Sequence, residues 1–352
     1  MEYPVVSIVI ATYNSAKVLP RTLDAIKRQT YPQKRMEILI VDGGSTDKTV
    51  EIAKSFGCII LYNDRIEPIN AKMIGIRQAT GRYMITIDHD EVIKNRKSIE
   101  RKIMALQAHP ECKVALCSGY KRPKNYPLLN EYLSEFGDPF SLFIYNFPKG
   151  YSFLEKTMKR NYIVKEENEK FIVFSFEHMR KEPIFELCCA GTMIDRDFFC
   201  RIPGILEDSS IMVHLFYIML EQGVNEVVLM KDDALVHYSV DSLKAYFPKL
   251  KWRICNNIHF PDMNKSGFNG RQKYQRMTRI KKYLFVPYTV SCICPIVQGV
   301  YLALSRRNVI YLEHIIFCWY VLLEICYQYS LKLRHKTPLL KSYDGKKVVD
   351  KR

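Results

Sequence analysis

The first 120 residues alternate short apolar runs with amphipathic stretches, and this alternation restricts the possible folds more than any other feature. Apolar runs that predict buried strands occupy residues 5–11, 37–42, 58–62, 83–88 and 113–118. Residues 18–26 carry apolar side chains at helical spacing, and residues 46–57 begin with capping-type residues and stop at a glycine, so both stretches predict helices. Strands that alternate with helices indicate an α/β fold with a mainly parallel sheet covered on both faces.

Polar clusters follow three of these predicted strands. They read ATYN at residues 11–14, VDGG at 41–44 and IDHD at 87–90. In sheets of this kind, ligands bind beyond the carboxyl ends of the strands, so we expect the three clusters to share one site. Asp88, Asp90 and Glu91 place three acids together, and crowded like charges repel unless a cation or a hydrogen-bonding ligand lies among them. The pattern therefore predicts that a cation or a hydrogen-bonding ligand binds at this cluster.

The net charge of +16 belongs to the C-terminal third of the 352-residue chain. From Lys244 onward there are 21 Lys or Arg and 5 Asp or Glu, whereas the first 243 residues hold 32 of each. This distribution argues against a protein that binds nucleic acid throughout, and it predicts a localised anionic partner. The 11 cysteines are scattered without a paired CxxC, which disfavours a zinc site and indicates reduced thiols in a cytoplasmic setting.

Two apolar segments near the C-terminus predict attachment to a membrane. Residues 283–305 carry no charge but contain two prolines, and residues 308–331 include two glutamates and a histidine. Basic residues lie before, between and after the two segments, a pattern that disfavours a simple two-span hairpin. We expect both segments to lie in, or dip into, an anionic membrane surface. Full spanning and burial as soluble helices are the alternatives.

Ordered motifs in the N-terminal part resemble the family 2 glycosyltransferases of the GT-A fold. The likeness runs through VSIVIATYNSAKVLPRTLDAIKRQTYPQKRMEILIVDGGSTDKTVEIA and INAKMIGIRQATGRYMITIDHDEV, and a weaker one returns at LEDSSIMVHLFYIMLEQG. It implies an α/β, Rossmann-like GT-A catalytic domain, and the two apolar segments add a C-terminal membrane-associating helical region. The predicted domains are a catalytic domain (1–243), a basic linker or helical region (244–282), hydrophobic membrane-associating helices (283–331) and a basic tail (332–352).

The resemblance also implies a nucleotide-sugar donor, with a UDP-sugar as the first expectation, and a divalent metal, Mg²⁺ or Mn²⁺. Such a cation neutralises the diphosphate leaving group as the sugar departs. The implied metal ligands are Asp88, Asp90 and His237, although a core histidine is an equal alternative for the last. The implied donor-binding residues are Ala11, Thr12, Tyr13, Asn14, Asp42, Lys72, Asp88, His89 and Glu207. The family commonly has asparagine where Met73 stands, so a solvated helix lysine is an alternative for Lys72.

Asp208 is the catalytic base that the resemblance implies. It would remove the proton of the acceptor hydroxyl as that oxygen attacks the anomeric carbon, and a single displacement of this kind inverts the configuration. Glu207 and Asp208 are also predicted to open a helix, and acids at a helix start are ordinarily caps. Glu207 is the alternative base.

The predicted function is inverting transfer of a sugar from a nucleoside diphosphate to a lipid-linked or glycan acceptor at the cytoplasmic face of the cell membrane. Polysaccharide, capsule or O-antigen assembly uses acceptors of this type. The alternatives are transfer onto a polyprenyl phosphate and a membrane-bound protein that binds nucleotide sugars or glycans without catalysis. The hypothesis of a nucleic-acid-binding module is supported only by the basic C-terminal third, which contains no recognised binding motif. We therefore expect no nucleic-acid partner.

Overall fold

A computed structural model of the chain describes residues 3–65, 67–261, 268–339 and 341. The chain forms two compact units, one of Met1–Lys121 with Gly150–Tyr238 and one of Arg122–Lys149 with Ser239–Arg352. The second unit thus takes the 28 residues of Arg122–Lys149, and also residues 239–243, from within the range 1–243. Arg122–Lys149 joins it because its two helices bury apolar side chains in the same core as the C-terminal helices. Residues 340 and 342–352 of the predicted basic tail lie outside the described residues.

The first unit alternates strands and helices up to residue 121, as the sequence predicts. Its elements there are β1 (Val6–Thr12), α1 (Leu19–Lys27), β2 (Met36–Asp42), α2 (Thr49–Ser55), β3 (Ile59–Tyr62), α3 (Pro68–Gln78), β4 (Tyr83–Asp88), β5 (Glu91–Ile93), α4 (Ser98–Ala108), β6 (Val114–Leu116) and β7 (Tyr120–Lys121). The five predicted strands are therefore confirmed as β1, β2, β3, β4 and β6, the fourth with its predicted bounds.

The rest of the chain begins with two helices of the second unit and then returns to the first. The second-unit helices are α5 (Leu129–Phe136) and α6 (Pro139–Tyr145). The first unit continues with α7 (Leu154–Asn161), β8 (Ile163–Glu167), β9 (Phe171–Ser175), β10 (Thr192–Asp195), α8 (Arg196–Arg201), α9 (Leu215–Glu221), β11 (Glu226–Met230) and β12 (Leu235–His237). The second unit then adds α10 (Leu243–His259), α11 (Phe268–Arg271), α12 (Arg276–Val290), α13 (Ile293–Arg306) and α14 (His314–Leu333).

Two sheets organise the first unit. The larger has nine strands in the order β3-β2-β1-β4-β10-β6-β11-β9-β8, and the smaller has the order β5-β12-β7. The four strands from β3 to β4 run parallel to one another, and β10 is antiparallel to both of its neighbours. Strand β1 is buried along its whole length, which explains its unbroken apolar sequence, since a central strand covered on both faces needs no polar alternation.

Helix α3 packs closely on the parallel part of the larger sheet. A side chain at Gly75 would place its Cβ 2.3 Å from Cγ1 of Val9 and 3.1 Å from Cγ2 of Val41. A glycine is therefore needed for α3 to lie this near β1 and β2. This close approach fixes the position of Lys72, which lies almost one turn earlier on the same helix.

The second unit is a helical assembly around an aromatic core. The core includes Leu129, Tyr132, Phe136, Leu142, Tyr246, Leu250, Phe285, Leu302, Tyr311, Phe317 and Val321. Several polar groups inside it are paired: the ring nitrogens of His314 lie 2.9 Å from the hydroxyls of Tyr132 and Tyr288, and Glu135 binds Arg306 at 2.9 Å. These pairs satisfy polar groups that would be costly to bury alone.

The apolar C-terminal segments form three helices in the second unit. Met277–Val290 and Ile293–Arg306 are bent by 91° at the break between them, where Cys292 has a φ of +56°. Of the described residues, only Val309–Leu333, 25 residues long, forms an unbroken helical segment apolar enough to cross a bilayer, judged by length and composition. All eleven cysteines are unbridged thiols.

Candidate active site

The carboxyl ends of β1, β2 and β4 lie level at one edge of the larger sheet. Thr12 pairs in register with Asp42 on β2, and Ala11 pairs with Asp88 on β4. The three polar clusters that the sequence predicted to converge therefore follow neighbouring strands. This places Ala11, Thr12, Asp42 and Asp88 along a single edge, as expected for ligand sites of parallel α/β sheets.

A buried lysine lies against the first acid of the IDHD cluster. The ammonium nitrogen of Lys72 is 2.7 Å from Oδ1 of Asp88, and the lysine side chain is 3% exposed against 39% for the aspartate. Burial on its own lowers the pKa of Lys72, but the negative groups around it, Asp88 first among them, together outweigh burial, and the pKa stands above that of an ordinary lysine. Lys72 is therefore a fixed positive charge at the end of β4, and the alternative of a solvated helix lysine is wrong.

The second acid of the cluster faces a histidine of the smaller sheet. Nε2 of His237 lies 3.6 Å from Oδ2 of Asp90, and the backbone N–H of Tyr238 donates to the Asp90 carbonyl at 2.8 Å. Both side chains are about one-fifth exposed, at 19% and 20%. Strand β12 thus brings His237 beside Asp90, although 146 residues separate them in the sequence.

A third carboxylate lies beneath these two acids. Glu91 is 1% exposed, and its Oε2 accepts the backbone N–H of Asp88 at 3.0 Å while its Oε1 accepts the hydroxyl of Tyr120 at 2.9 Å. Burial, followed by the charge of Asp88, raises the pKa of Glu91 well above the usual range of a glutamate. Burial, followed by the charge of Glu91, raises the pKa of Tyr120, so its hydroxyl keeps the proton that it donates.

Asp42 closes the turn that follows β2. The side chain is 1% exposed and accepts the backbone N–H groups of Gly44 at 3.0 Å and Ser45 at 2.7 Å. It also accepts the hydroxyls of Ser45 and Thr12, at 2.5 and 3.1 Å. Four hydrogen bonds therefore hold the DGGS turn in a defined shape.

Asn14 joins the first polar cluster to the second. It has a φ of +47°, its N–H donates to Oγ of Ser45 at 2.8 Å, and its Oδ1 accepts the N–H of Thr46 at 2.9 Å. An asparagine tolerates this left-handed conformation better than most residues. Tyr13, just before it, is half-buried at the same strand end.

His89 is tied to the strand and helix on either side of it. Its Nδ1 lies 3.3 Å from the carbonyl oxygen of Ala11, and its own carbonyl accepts the hydroxyl of Thr22 on α1 at 2.8 Å. These two contacts hold the middle of the IDHD cluster against β1 and α1. The side chain of His89 thereby lies on the β1 side of the cluster, whereas Asp90 lies by β12.

Glu207 and Asp208 precede a 3₁₀ helix, Ser209–His214, and not the first turn of an α-helix as predicted. Oδ1 of Asp208 accepts both the N–H and the hydroxyl of Ser210, at 2.9 and 2.6 Å, and Glu207 is exposed. Serine competes for local hydrogen bonds in this way, which delays the regular helix until Leu215. Arg77 of α3 donates from Nε to the carbonyl of Leu206 at 2.8 Å and so anchors the segment before Asp208.

The chemistry of Asp90 and His237 fits a divalent cation that keeps open positions for a diphosphate. A carboxylate oxygen and a neutral imidazole nitrogen are both suitable ligands, and their 3.6 Å separation lets one ion contact both after a small adjustment. Asp88 is engaged by Lys72 instead. Within the described part of the chain, the group of three such residues whose ligand atoms all lie within 4.8 Å is elsewhere, at Glu111, Cys112 and Glu226.

Two residues of this site were given no role from the sequence. Glu91 lies in the crowded acidic stretch. Its position at the start of a strand is the feature that could have indicated a buried carboxylate. Tyr120 begins a two-residue strand in a weakly patterned region, so no local signal singled it out. Its contact with Glu91 depends on the pairing of β7 and β5 with β12.

Fold and site together define a protein of the glycosyltransferase class. The sequence profile described as "Glycosyl transferase family 2" matches residues 7–200, more than half of the chain. The chain therefore belongs to glycosyl transferase family 2. The α/β fold and the family that the sequence motifs predicted are both confirmed.

Curated relatives share part of the chain. "Glycosyltransferase AglE" of Haloferax volcanii is 36% identical over 93 residues, which are 25% of this chain and 31% of that protein. A "PGL/p-HBAD biosynthesis glycosyltransferase" of Mycobacterium bovis is 34% identical over 115 residues, which are 31% of this chain and 44% of that protein. The chain thus matches less than half of the length of either relative.

A solved structure supports the fold over most of the chain. The mannosyltransferase PcManGT from Pyrobaculum calidifontis, in complex with GDP-Man and Mn²⁺, is similar with a TM-score of 0.51 and 14% sequence identity. The similarity covers 93% of this chain and 88% of that one. At this identity the comparison concerns the fold alone.

Proposed function

We propose that the chain is an inverting glycosyltransferase that uses a nucleoside-diphosphate sugar, with a UDP-sugar first among the candidates. The observation that carries this proposal is the buried Lys72 cation held against Asp88, level with the Asp42 turn two strands away across β1. A nucleobase and ribose fit the ends of β1 and β2, and a diphosphate fits the charges at the end of β4. In this arrangement Ala11, Thr12, Tyr13, Asn14 and Asp42 bind the nucleoside.

Lys72 and the acids beside it have separate roles in binding the diphosphate. The ammonium group of Lys72 orients Asp88 and adds a positive charge near the leaving group. Asp90 and His237 hold Mg²⁺ or Mn²⁺, which when bound neutralises charge on the departing diphosphate. His89, fixed between β1 and α1, and Glu207 complete the donor site.

Asp208 acts as the base in a single displacement. The acceptor hydroxyl oxygen forms a bond to the anomeric carbon as the bond from that carbon to the diphosphate breaks. The proton of the hydroxyl passes to Asp208, and the nucleoside diphosphate leaves with the bonding electron pair. Ser210 orients the carboxylate through two hydrogen bonds to Oδ1.

A donor screen tests this proposal directly. The full chain in detergent is incubated with UDP- and GDP-sugars and Mn²⁺, and release of UDP or GDP is measured. We expect release from one donor above the rate without protein, because water can replace the acceptor hydroxyl in the attack on the anomeric carbon. Absence of release from every donor, with and without a lipid-linked acceptor mixture, would contradict the proposal.

Divalent metal is expected to strengthen nucleotide binding at least about tenfold, which corresponds to 1.4 kcal/mol. Without a cation, the diphosphate faces the acids at the end of β4 as like charges. Isothermal titration of UDP and of GDP into the full chain, with Mn²⁺ or with excess EDTA, measures the difference. Restoration of affinity when Mn²⁺ is added in excess of EDTA is the control. Equal nucleotide affinities in the Mn²⁺ and EDTA buffers would contradict the proposed role of a divalent metal.

The second unit supports the finer proposal that the acceptor is lipid-linked and that transfer takes place at the cytoplasmic face of the membrane. Large apolar side chains are exposed along α12 and α13, among them Ile280, Tyr283, Leu284, Ile293, Val297, Val300, Tyr301 and Leu304. Lys281, Lys282, Arg306 and Arg307 flank them. The 91° bend suits two helices that lie in an interface better than one straight span.

Val297→Glu combined with Leu304→Glu is expected to reduce partitioning onto vesicles of phosphatidylcholine and phosphatidylglycerol at least about tenfold. Full burial of one such side chain contributes roughly 1.5–3 kcal/mol, and each added carboxylate is repelled by the anionic surface. Vesicle flotation of the full chain measures the effect. The matched control adds the same two charges to exposed positions of the first unit, Ser55→Glu with Gln78→Glu. Unchanged partitioning of the Val297/Leu304 variant would contradict the interfacial assignment.

A further inference from the structure

Glu91 connects the two sheets of the first unit at the acidic cluster, residues 88–91. Asp88 is the last residue of β4 in the larger sheet, and Glu91 is the first residue of β5 in the smaller one. The Glu91 side chain turns back to accept the N–H of Asp88 at 3.0 Å and also accepts the hydroxyl of Tyr120 on β7 at 2.9 Å. One carboxylate therefore fixes both ends of the segment 88–90.

The same contacts reach the histidine that faces Asp90. His237 is paired in register with Glu91, and its ring centroid lies 5.1 Å from that of Tyr120. Tyr120 thus supports His237 through its ring and Glu91 through its hydroxyl. Asp90 and His237 are held from behind by residues that are buried or half-buried themselves.

Electrostatics alone would disfavour a glutamate at this position. Its charge adds to those of Asp88 and Asp90, and Lys72 and His237 are the positive or titratable groups that face it. A neutral residue would remove that repulsion. What the carboxylate supplies is two separate acceptor oxygens, one for Asp88 and one for Tyr120, which neither an amide nor an apolar side chain has.

We propose that Glu91 and Tyr120 form a positioning pair, which holds residues 88–90 and His237 in the arrangement that binds the cation and the donor diphosphate. This inference rests on the proposed function. Neither residue touches the substrate; both act through Asp88, Asp90 and His237. Groups that orient metal ligands from behind typically change metal affinity or activity 10–100-fold when they are replaced.

Tyr120→Phe is the decisive variant because it removes one hydroxyl and keeps the ring against His237. Glu91→Gln is the companion, since Asp88 and Tyr120 donate to different oxygens of Glu91 and the amide replaces one of these oxygens with an NH2 group. Tyr162→Phe is the matched control: Tyr162 is also buried in the first unit, and within the described residues its hydroxyl has no hydrogen-bond partner. The full chain in detergent is used for every variant.

Calorimetric titration of Mn²⁺ in the presence of saturating UDP gives the main readout. We expect the Mn²⁺ Kd of Tyr120→Phe to rise about 10-fold or more relative to Tyr162→Phe, with melting temperatures that match. We expect the double variant Tyr120→Phe/Glu91→Gln to resemble the weaker-binding single variant, because both changes break the same connection. In transfer assays, the Mn²⁺ concentration for half-maximal rate rises, whereas kcat at saturating Mn²⁺ is largely restored.

Two results would overturn the assignment. An unchanged Mn²⁺ Kd in Tyr120→Phe would show that the pair does not position the site, and this variant decides even if Glu91→Gln does not fold. Strictly additive effects of the two changes would show that they act separately. If the wild-type chain binds UDP equally well without Mn²⁺, the metal role in the proposed function is contradicted. The positioning role of Glu91 and Tyr120 is then contradicted as well.

Discussion

Asp208→Asn is expected to lower the rate of sugar transfer about 10²–10⁴-fold, the usual contribution of a general base. Asparagine has the same shape and can still accept hydrogen bonds from Ser210, so the segment before the 3₁₀ helix should keep its structure. Donor affinity should persist because other residues hold the nucleotide and the cation. Transfer rate, donor Kd and melting temperature are measured on a single preparation of the variant.

The combination of these three measurements separates the possible roles of Asp208. A residue that only caps the helix would lose a little stability and no turnover, whereas a metal ligand would lose donor affinity as well. Glu221→Gln, which neutralises an exposed acid at the end of α9, is the matched control and should retain transfer, whereas Glu207→Gln tests the alternative base. If Asp208→Asn turns over at a near-normal rate and Glu207→Gln does not, the base is Glu207.

Asp90→Asn is expected to reduce transfer about 10²–10³-fold, because stabilisation of leaving-group charge by a bound cation is worth several kcal/mol. Unlike Asp208→Asn, it should also raise the Kd of the nucleotide in Mn²⁺ buffer. An amide oxygen carries no charge and holds a divalent ion more weakly than a carboxylate. Titration calorimetry with UDP and a transfer assay over a range of Mn²⁺ concentrations measure the two effects.

Asp24→Asn provides the comparison for Asp90→Asn. Asp24 is an exposed acid on α1 of the same unit, and its neutralisation changes the net charge equally. Both activity and the Mn²⁺ dependence of UDP binding should match those of the wild-type chain. If Asp90→Asn behaves like this control, the cation does not depend on Asp90, and the roles of Lys72 and Asp88 become the leading explanation for diphosphate binding.

The parallel part of the fold could be predicted from the sequence because its strands are continuous apolar runs. β1, β2 and β4 are covered on both faces, and such strands stand out against amphipathic helices. The segment 121–185 could not be assigned, since β8 and β9 pair with each other but join the larger sheet through residues far away in sequence. β9, for example, takes its register from β11, more than fifty residues later.

The candidate site could be predicted in part for a related reason. Residues that follow strands of a parallel sheet converge by topology, which brought Asp42, Asp88 and the ATYN cluster together. The Lys72–Asp88 contact was hidden because it depends on how closely α3 approaches the sheet at Gly75. The turn at Asp208 differed from the predicted helix because local serine hydrogen bonds compete with helix formation.

The composition of the second unit has a consequence for the order of events during synthesis. Helices α5 and α6 leave the ribosome more than a hundred residues before α14, yet Tyr132 and Leu142 are buried in the same core as Phe317 and Val321. The apolar faces of α5 and α6 therefore stay exposed until the C-terminal helices have been synthesised. Hydrophobic surface that is exposed during this delay favours aggregation. In a chain that is truncated before α12, these apolar faces would stay exposed permanently. Expression of a catalytic fragment therefore requires removal of residues 122–149 as well.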